Sequence, residues 1–292
     1  MIKDYLGRLR NKLFDVNAVL LTKREAIRVI NTKECQLNVY NFKKLRAQSP
    51  SKFGFIYFDP NNNCNLHCVY CHNHRSDDII VTDDFQSFIE NNVISTANFQ
   101  MGCIMEPTLD PRLCNLMLMV ANSPAKPNKA FLLQTNGILL HKHDYGKIRD
   151  ARLTHLSVSI DAADPETQKF LRSGTSLKKV ISNVVSFRKS CPEIEVIFTT
   201  TVTSKNVRKM ENLVAVGLEV GVNRFYIREV FYHPDNNVVD HERTPGLLLK
   251  ENDFSRMKQN LIAKFGTLAH FVFQDLKAIE TSTRKLKSMS FR

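Results

Sequence analysis

The sequence predicts an α/β fold built on a parallel β-sheet. From Phe53 onward, short runs rich in Val, Ile, Phe, Thr and Leu alternate with longer stretches of helical periodicity. Strands that alternate with helices join a sheet in parallel order through right-handed crossovers. Six such units follow one another in the sequence, which is too few to close an eight-stranded barrel.

The predicted elements follow one another without an internal repeat or a low-complexity tract. Several of the predicted helices begin with Asp, Asn, Ser or Thr, the residues that cap helix N-termini. Strands are predicted at residues 53–59, 98–103, 130–135, 154–160, 194–203 and 223–229. Helices are predicted near residues 83–95, 111–121, 141–150, 176–189, 206–219 and 250–264, and a short apolar run follows at 270–273.

The two ends of the chain are predicted to be additions to this main domain. Apolar residues recur at steps of three and four over the first thirty residues, which predicts a one-faced helix that docks on the main domain. These residues are Ile2, Leu6, Leu9, Leu13 and Val16. We therefore divide the chain into a basic N-terminal accessory segment at 1–52, a core domain at 53–230 and a C-terminal extension at 231–292 that covers the core.

The net charge of +12 is concentrated at the ends of the chain. Residues 1–52 carry 12 Lys and Arg against 4 Asp and Glu, and residues 277–292 carry 5 against 1, which leaves the intervening segment neutral. Basic ends indicate either solvated tails or contact with an anionic partner such as a nucleic acid, a phosphorylated carrier or a membrane surface. No apolar run reaches the roughly 20 residues that span a bilayer, and the N-terminus does not resemble a secretory signal.

Cysteine usage indicates a reducing compartment, and we expect a cytoplasmic protein. Of the seven cysteines, Cys35, Cys103, Cys114 and Cys191 are scattered without repeated spacing, which is not typical of a disulfide framework. The other three, Cys64, Cys68 and Cys71, form a C-x3-C-x2-C motif directly after the first predicted strand of the core domain. Three thiols so close together indicate a metal centre.

The number of ligands separates two kinds of metal centre. Structural zinc needs four ligands, so His67, His72 or His74 would have to join the three cysteines. A four-iron cluster is usually held by four thiolates, and three would leave one iron open for another molecule.

The motif text Cys-Asn-Leu-His-Cys-Val-Tyr-Cys, with Tyr70 directly before the third cysteine, resembles the signature of the radical S-adenosylmethionine (SAM) enzymes. The resemblance implies a partial (β/α)6 TIM-like barrel with a helical N-terminal extension and a short C-terminal extension. It implies that Cys64, Cys68 and Cys71 hold a [4Fe-4S] cluster whose open iron chelates S-adenosyl-L-methionine. An electron from a flavodoxin- or ferredoxin-like donor would then split SAM into methionine and a 5′-deoxyadenosyl radical.

The ends of the later strands also resemble this family. The resemblance implies that Tyr70 approaches the adenine, that Met105 and Glu106 hold the ammonium group, and that Arg172 grips the carboxylate of SAM. Family members often carry Gly-Gly-Glu-Pro where this chain has Ile104-Met105-Glu106-Pro107, and a positive φ would strain Ile104. The Thr-Asn-Gly sequence that starts at Thr135 and the Ser-x-Asp sequence that starts at Ser159 resemble two further SAM-binding motifs.

The leading hypothesis is therefore a radical SAM enzyme that acts on an unidentified substrate, which is anionic, a peptide or linked to a nucleotide. Arg228 and Glu229, at the end of the sixth strand, are predicted to lie beside the pocket. No catalytic residue can be named from the sequence. The alternatives are a zinc-stabilised nucleic-acid-binding protein that uses the three cysteines and His74, and a radical-SAM-like scaffold that has lost catalysis.

Overall fold

The computed structural model describes residues 52–274, except 233, 235 and 237, together with the backbone of three strands near the N-terminus. It confirms the α/β fold class. Seven parallel strands of the described core form a curled, open sheet, a partial barrel in which the six predicted strands are joined by one more. The boundaries of the six differ from the predicted ones by at most three residues.

The strands of this core sheet are β4 at Lys52–Phe58, β6 at Ser95–Met101, β7 at Pro127–Thr135, β8 at His155–Ser159, β10 at Glu195–Val202, β11 at Arg224–Glu229 and β12 at His270–Gln274. They lie in the order β4-β6-β7-β8-β10-β11-β12, and each neighbouring pair is parallel. Because all the core strands run the same way, their carboxyl ends meet at one edge of the sheet.

Seven α-helices lie within the described residues. They are α1 at Thr82–Asn91, α2 at Leu113–Ala121, α3 at Tyr145–Asp150, α4 at Pro165–Leu171, α5 at Leu177–Ser190, α6 at Met210–Glu219 and α7 at Asp253–Phe265. The short helix α4 was not expected from the sequence. It begins where the Asp164 carboxylate accepts a hydrogen bond from the Thr167 amide at 2.8 Å, with Pro165 in the first turn.

The helix-facing side of the sheet is an aromatic core. Phe58 of β4 stacks on Phe85 of α1 with ring centroids 4.2 Å apart. Edge-to-face pairs continue this packing from strand to strand, as between Phe99 and Phe131, whose centroids are 5.6 Å apart. Burial of large side chains on this face fixes the register of the strands and therefore places each strand end at the opening of the barrel.

The predicted N-terminal helix is wrong over its second half. Residues Asn17–Thr22 and Glu25–Val29 form an antiparallel pair of strands, β1 and β2, and Cys35–Val39 forms β3. These runs are rich in Val, Ile and Leu, and β-branched side chains favour strands. The helical positions Ile2 to Val16 lie outside the described residues.

Strands from both flanking segments belong to the same sheet as the six predicted strands. At one edge, β3 pairs in parallel with β4 and is followed by β1 and β2. At the other edge, the apolar run noted at 270–273 is β12, which pairs in parallel with β11. The division of the chain at residues 52 and 230 stays a prediction. Among the described residues, no helix is both long enough and apolar enough to cross a membrane.

Candidate cofactor site at the strand ends

A cavity of about 410 Å³ opens at the carboxyl ends of the core strands. The three motif cysteines line it, and so does every residue that the sequence proposed for SAM contact. These residues are Cys64, Cys68, Cys71, Tyr70, Met105, Glu106, Thr135, Ser159 and Arg172. They come from the motif loop, from the ends of β6, β7 and β8 and from the residue after α4, so the fold brings together positions far apart in the sequence. Their individual roles stay predictions.

The motif loop is tied to the rest of the site by backbone and amide contacts. The Asn61 side chain donates to the Glu106 carbonyl at 3.0 Å, and the Glu106 amide donates to the Asn63 carbonyl at the same distance. A two-residue strand, β5 at His67–Cys68, pairs with β9 at Arg172–Ser173. This pairing sets Cys68 directly opposite Arg172, 104 positions later in the sequence.

The three motif thiols suit an iron–sulfur cluster chemically. Each is unpaired with another cysteine and partly accessible, and thiolates are the ligands that such clusters require. Burial raises the pKa of the Cys64 thiol and raises that of Cys68 to about 11, so the free protein favours the thiols and a cationic centre is needed to stabilise the thiolates. Among the described residues, no group of three or more His, Cys, Asp or Glu side chains is arranged around a single metal-ion position.

The loop that replaces the two glycines is organised by Asp59, which the sequence reading missed. Its carboxylate accepts hydrogen bonds from the amides of Cys103, Ile104 and Met105 at 2.9 to 3.3 Å. Neither Ile104 nor Met105 has a positive φ, so the conformation that would strain Ile104 is not adopted. An acid directly after an apolar strand and before the motif was the sequence signal that could have found it.

We expect Asp59 to make the stability of the apoprotein fall as the pH rises from about 4 to 6. Burial, partly opposed by the three amides, raises the pKa of Asp59 from 3.8 to about 6. The folded state therefore binds the proton more tightly than the unfolded state, and the stability present at low pH is lost through this window by roughly 3 kcal/mol. Urea unfolding at several pH values measures this loss.

The control is Asp59→Asn, which cannot titrate. The difference in unfolding free energy between wild type and this variant should change across the same pH window. Parallel pH profiles for the two proteins would contradict the prediction.

The turn out of β6 needs its glycine. Gly102 has φ +77°, and a Cβ there would lie 2.2 Å from the Gln134 carbonyl oxygen and 2.7 Å from the Pro107 ring. We expect Gly102→Ala to destabilise the protein by on the order of 2–3 kcal/mol. The cost of holding alanine in a left-handed conformation adds to the cost of the clash between its Cβ and the backbone. Gly246→Ala is the matched control, since a Cβ added at Gly246 would meet no atom within 4 Å and its φ is not positive. Equal unfolding midpoints for the two variants would refute the expectation.

Glu106 joins the ends of β6 and β7 by hydrogen bonds. Its carboxylate accepts hydrogen bonds from the Thr108 amide and hydroxyl, from the Thr135 hydroxyl at 2.6 Å and from the Asn136 amide at 2.7 Å. Burial raises the pKa of Glu106, and these hydrogen bonds oppose the rise. The Asn136 side chain in turn donates to Asn65 at 2.8 Å, which connects the end of β7 to the motif loop.

Asp161 is the centre of a buried ion pair that the sequence-based choice of site residues omitted. Its carboxylate accepts hydrogen bonds from Arg172 at 2.8 and 3.2 Å, from the Thr201 amide at 2.9 Å and from the Tyr70 hydroxyl. Burial opposes the charge on Arg172, but Asp161, with Tyr70 and Cys68, holds the Arg172 pKa well above its usual value. Burial raises the pKa of Tyr70, because it disfavours the phenolate. The ion pair therefore fixes both predicted SAM contacts.

A second, wider cavity of about 730 Å³ lies against the motif loop. Cys68 and Cys71 line both cavities, so the motif loop forms part of the wall of each. The segment after β11 also reaches this loop, since the Thr244 hydroxyl donates to the Val69 carbonyl at 3.0 Å. His74, the fourth ligand of the zinc hypothesis, is exposed. It lines the wider cavity but not the cavity at the strand ends.

Residues 59–216, just over half of the chain, match the family model of the radical SAM superfamily. This chain belongs to the radical SAM superfamily. The matched range contains the three motif cysteines and the six predicted SAM contacts, and it ends within α6. The resemblance read from the sequence is thus confirmed at the level of the family.

Curated proteins with similar sequences cover part of this radical SAM chain. A "Probable GTP 3′,8-cyclase" of Methanococcus maripaludis is 31% identical over 122 residues, which is 40% of this chain and 39% of that protein. An "AdoMet-dependent heme synthase" of Methanosarcina barkeri is 24% identical over 174 residues, 56% of this chain and 47% of that protein. The chain thus spans less than half the length of these relatives.

Solved structures share the fold of this radical SAM protein. The crystal structure of Streptococcus suis SuiB bound to S-adenosylmethionine has a TM-score of 0.58 at 16% identity, covering 76% of this chain and 50% of that one. Members of the family bind a [4Fe-4S] cluster and SAM. The two cofactors expected from the motif are therefore those of the family, and the thiol donors in the cavity fit the cluster.

Proposed function

We propose that this protein is a radical SAM enzyme whose cavity at the strand ends binds a [4Fe-4S] cluster and SAM side by side. The observation that supports this most directly is the meeting of three motif thiols and six predicted SAM contacts around one cavity. When bound, the cluster supplies one electron to SAM, which yields methionine and the 5′-deoxyadenosyl radical that abstracts hydrogen from a substrate.

In this proposal the chain holds and orients the cofactors. Cys64, Cys68 and Cys71 hold the cluster, and Tyr70 lies against the adenine. Four further residues line the SAM site: Met105 and Glu106 at the ammonium end, Thr135, whose hydroxyl donates to Glu106, and Ser159. Arg172, already held by Asp161, presents its remaining nitrogen on the side of Cys68, 4.0 Å from the sulfur, where a carboxylate could be received.

The electron donor is proposed to be a flavodoxin- or ferredoxin-like protein. The wider cavity supports this, because Cys68 and Cys71 line it as well as the SAM cavity. A donor could approach the cluster there without entering the SAM cavity. Arg75, Lys169 and Arg243 line the same surface together with Glu166 and Asp240, and Arg243 pairs with Asp240 at 3.5 Å. The small excess of positive charge would favour an acidic partner. A cytoplasmic location, inferred from cysteine usage, belongs to the same proposal.

The experiment is anaerobic reconstitution with iron and sulfide, followed by SAM and dithionite. We expect a brown protein that forms 5′-deoxyadenosine, measured by chromatography, and no product when dithionite is omitted. A colourless protein that retains about one zinc ion would favour the zinc-stabilised alternative. A stable cluster without 5′-deoxyadenosine would favour the scaffold that has lost catalysis.

A further inference from the structure

The inner face of the sheet, opposite the aromatic core, carries hydrogen-bonded polar side chains on its central strands. Gln100 donates to Gln134 at 3.2 Å, and the Ser157 and Thr199 hydroxyls are 2.5 Å apart. Strand residues alternate between faces, so these side chains lie on the side of the sheet away from the helices, as do the stacked rings of Phe55 and Tyr57 on β4. The amides and hydroxyls could form hydrogen bonds to a substrate in the barrel interior.

The uppermost layer of this face, at the strand ends, is made of Thr201, Arg228 and Gln274. The three residues are register partners across β10, β11 and β12, and all line the cavity. The predicted SAM contacts come instead from the motif loop, from the ends of the strands β6 to β8 and from Arg172 after α4. The layer therefore lines the β10–β12 side of the same cavity.

Arg228 carries a positive charge into this end without an ion pair among the described residues. Its side chain is exposed, and its Nε donates to the Thr201 hydroxyl at 3.2 Å, which orients the guanidinium group. The two terminal nitrogens have no protein acceptor among the residues that the structure describes. Arg172, by contrast, is held by Asp161, although it lines the same cavity.

The acids around the cavity do not neutralise Arg228. Glu106 accepts hydrogen bonds from the end of β7 and from its own turn, on the SAM side. Glu229 also lines the cavity, but it is only 3% exposed, and strand alternation turns its side chain to the opposite face from Arg228. Arg228 therefore presents its charge on the inner face of the sheet, away from Glu229.

Gln274 adds directed donors beside the guanidinium group. Its side-chain oxygen accepts a hydrogen bond from the Tyr226 hydroxyl at 2.7 Å. This contact assigns the amide NH₂ to the other side, where it has no acceptor within the described residues. A fixed guanidinium next to a free amide donor forms a two-point receptor for an oxyanion.

We infer that the substrate of this radical SAM enzyme carries an oxyanion, a phosphate or a carboxylate, which is bound by Arg228 and Gln274 at the β10–β12 end of the cavity. The statement that the bound molecule is a substrate rests on the proposed function, whereas the oxyanion-binding site does not. Arg228 is a substrate-positioning residue in this account, and the predicted SAM contacts line the same cavity.

Equilibrium binding to the reconstituted protein tests the inference. Inorganic phosphate and acetate are the two probes, titrated separately in a phosphate-free buffer at low salt and followed by calorimetry. We expect at least one probe to bind with a stoichiometry near one, and its affinity to fall by about tenfold or more in Arg228→Gln. A greater loss for phosphate than for acetate would identify a phosphorylated substrate, and the reverse a carboxylate.

Arg224→Gln is the matched control, because Arg224 lies on the same strand but at its other end, paired with Glu195 at 3.1 Å. Its affinity for the probe should stay within about twofold of wild type, since an exposed pair contributes little. Failure of the wild type to bind either probe, or equal binding by Arg228→Gln, would overturn the inference. Absence of 5′-deoxyadenosine in the wild type would instead remove the proposed function and leave this comparison intact.

Discussion

Cys68→Ala is expected to give a folded protein that no longer holds a cluster and forms no 5′-deoxyadenosine. The motif supplies three thiolates to a cluster that is usually held by four, so no spare ligand compensates for the loss of one. The fold should survive, because the β5–β9 pairing that positions Cys68 is made by backbone groups and the side chain is only partly buried. Iron should fall from roughly four to fewer than about one per chain.

Cys103→Ala is the matched comparison, because Cys103 lines the same cavity but lies outside the motif. Its iron content and visible absorption should equal those of the wild type. Equal loss of iron in the two variants would make Cys103 a further ligand. Unchanged absorption in Cys68→Ala would contradict the assignment of the motif altogether. Both variants are compared as reconstituted proteins, with circular dichroism to establish that each is folded.

The core strands could be predicted from sequence because their signal is local. A buried parallel strand is a short run of β-branched and aromatic residues, and helices with capping residues separate one run from the next. The edge strand β12 was harder to assign, because five residues with a partner on only one side give little pattern. The N-terminal strands were missed since the helical spacing of Ile2 to Val16 was extended beyond Val16 into a segment that pairs as strands.

Only part of the candidate site could be predicted from the sequence. Positions within a motif or at a strand end, such as Cys64 and Ser159, could be assigned to the cavity because parallel strands end at one edge. The residues that hold these positions by hydrogen bonds could not be predicted. Asp59 binds amides 44 to 46 residues away, and Asp161 meets Tyr70 from 91 residues away. Such pairings depend on tertiary packing, for which one sequence carries no local signal.

Asp161→Asn is expected to cost on the order of 3–5 kcal/mol of stability, because it leaves the buried guanidinium of Arg172 without its counter-charge. Asp161 is fully buried and Arg172 is 7% exposed, so water cannot replace the carboxylate. The asparagine NH₂ would also face groups that now donate to Asp161. Urea unfolding of the apoprotein measures the loss. Asp164→Asn is the control, since Asp164 makes an exposed ion pair with Lys209 and asparagine caps helices as well as aspartate does. This variant should lose less than about 1 kcal/mol of stability.

A double variant tests whether the loss of stability in Asp161→Asn comes from the uncompensated charge of Arg172. Arg172→Met in the Asp161→Asn background removes the uncompensated guanidinium, so the double variant should be less destabilised than the sum of the single variants by about 1 kcal/mol or more. Additive losses would contradict the buried-pair explanation.

Arg172→Lys then separates the structural role of Arg172 from its predicted role at SAM. Asp161 occupies Nε and one terminal nitrogen of the guanidinium, and the other terminal nitrogen lies 4.0 Å from the Cys68 sulfur. Lysine keeps the charge but offers a single nitrogen, which cannot occupy the positions of all three guanidinium nitrogens. If Arg172 binds the SAM carboxylate, the folded variant should bind SAM about tenfold more weakly while its cluster absorption is retained. Unchanged SAM affinity in a folded but less stable variant would assign Arg172 to the support of Tyr70 and Asp161 alone.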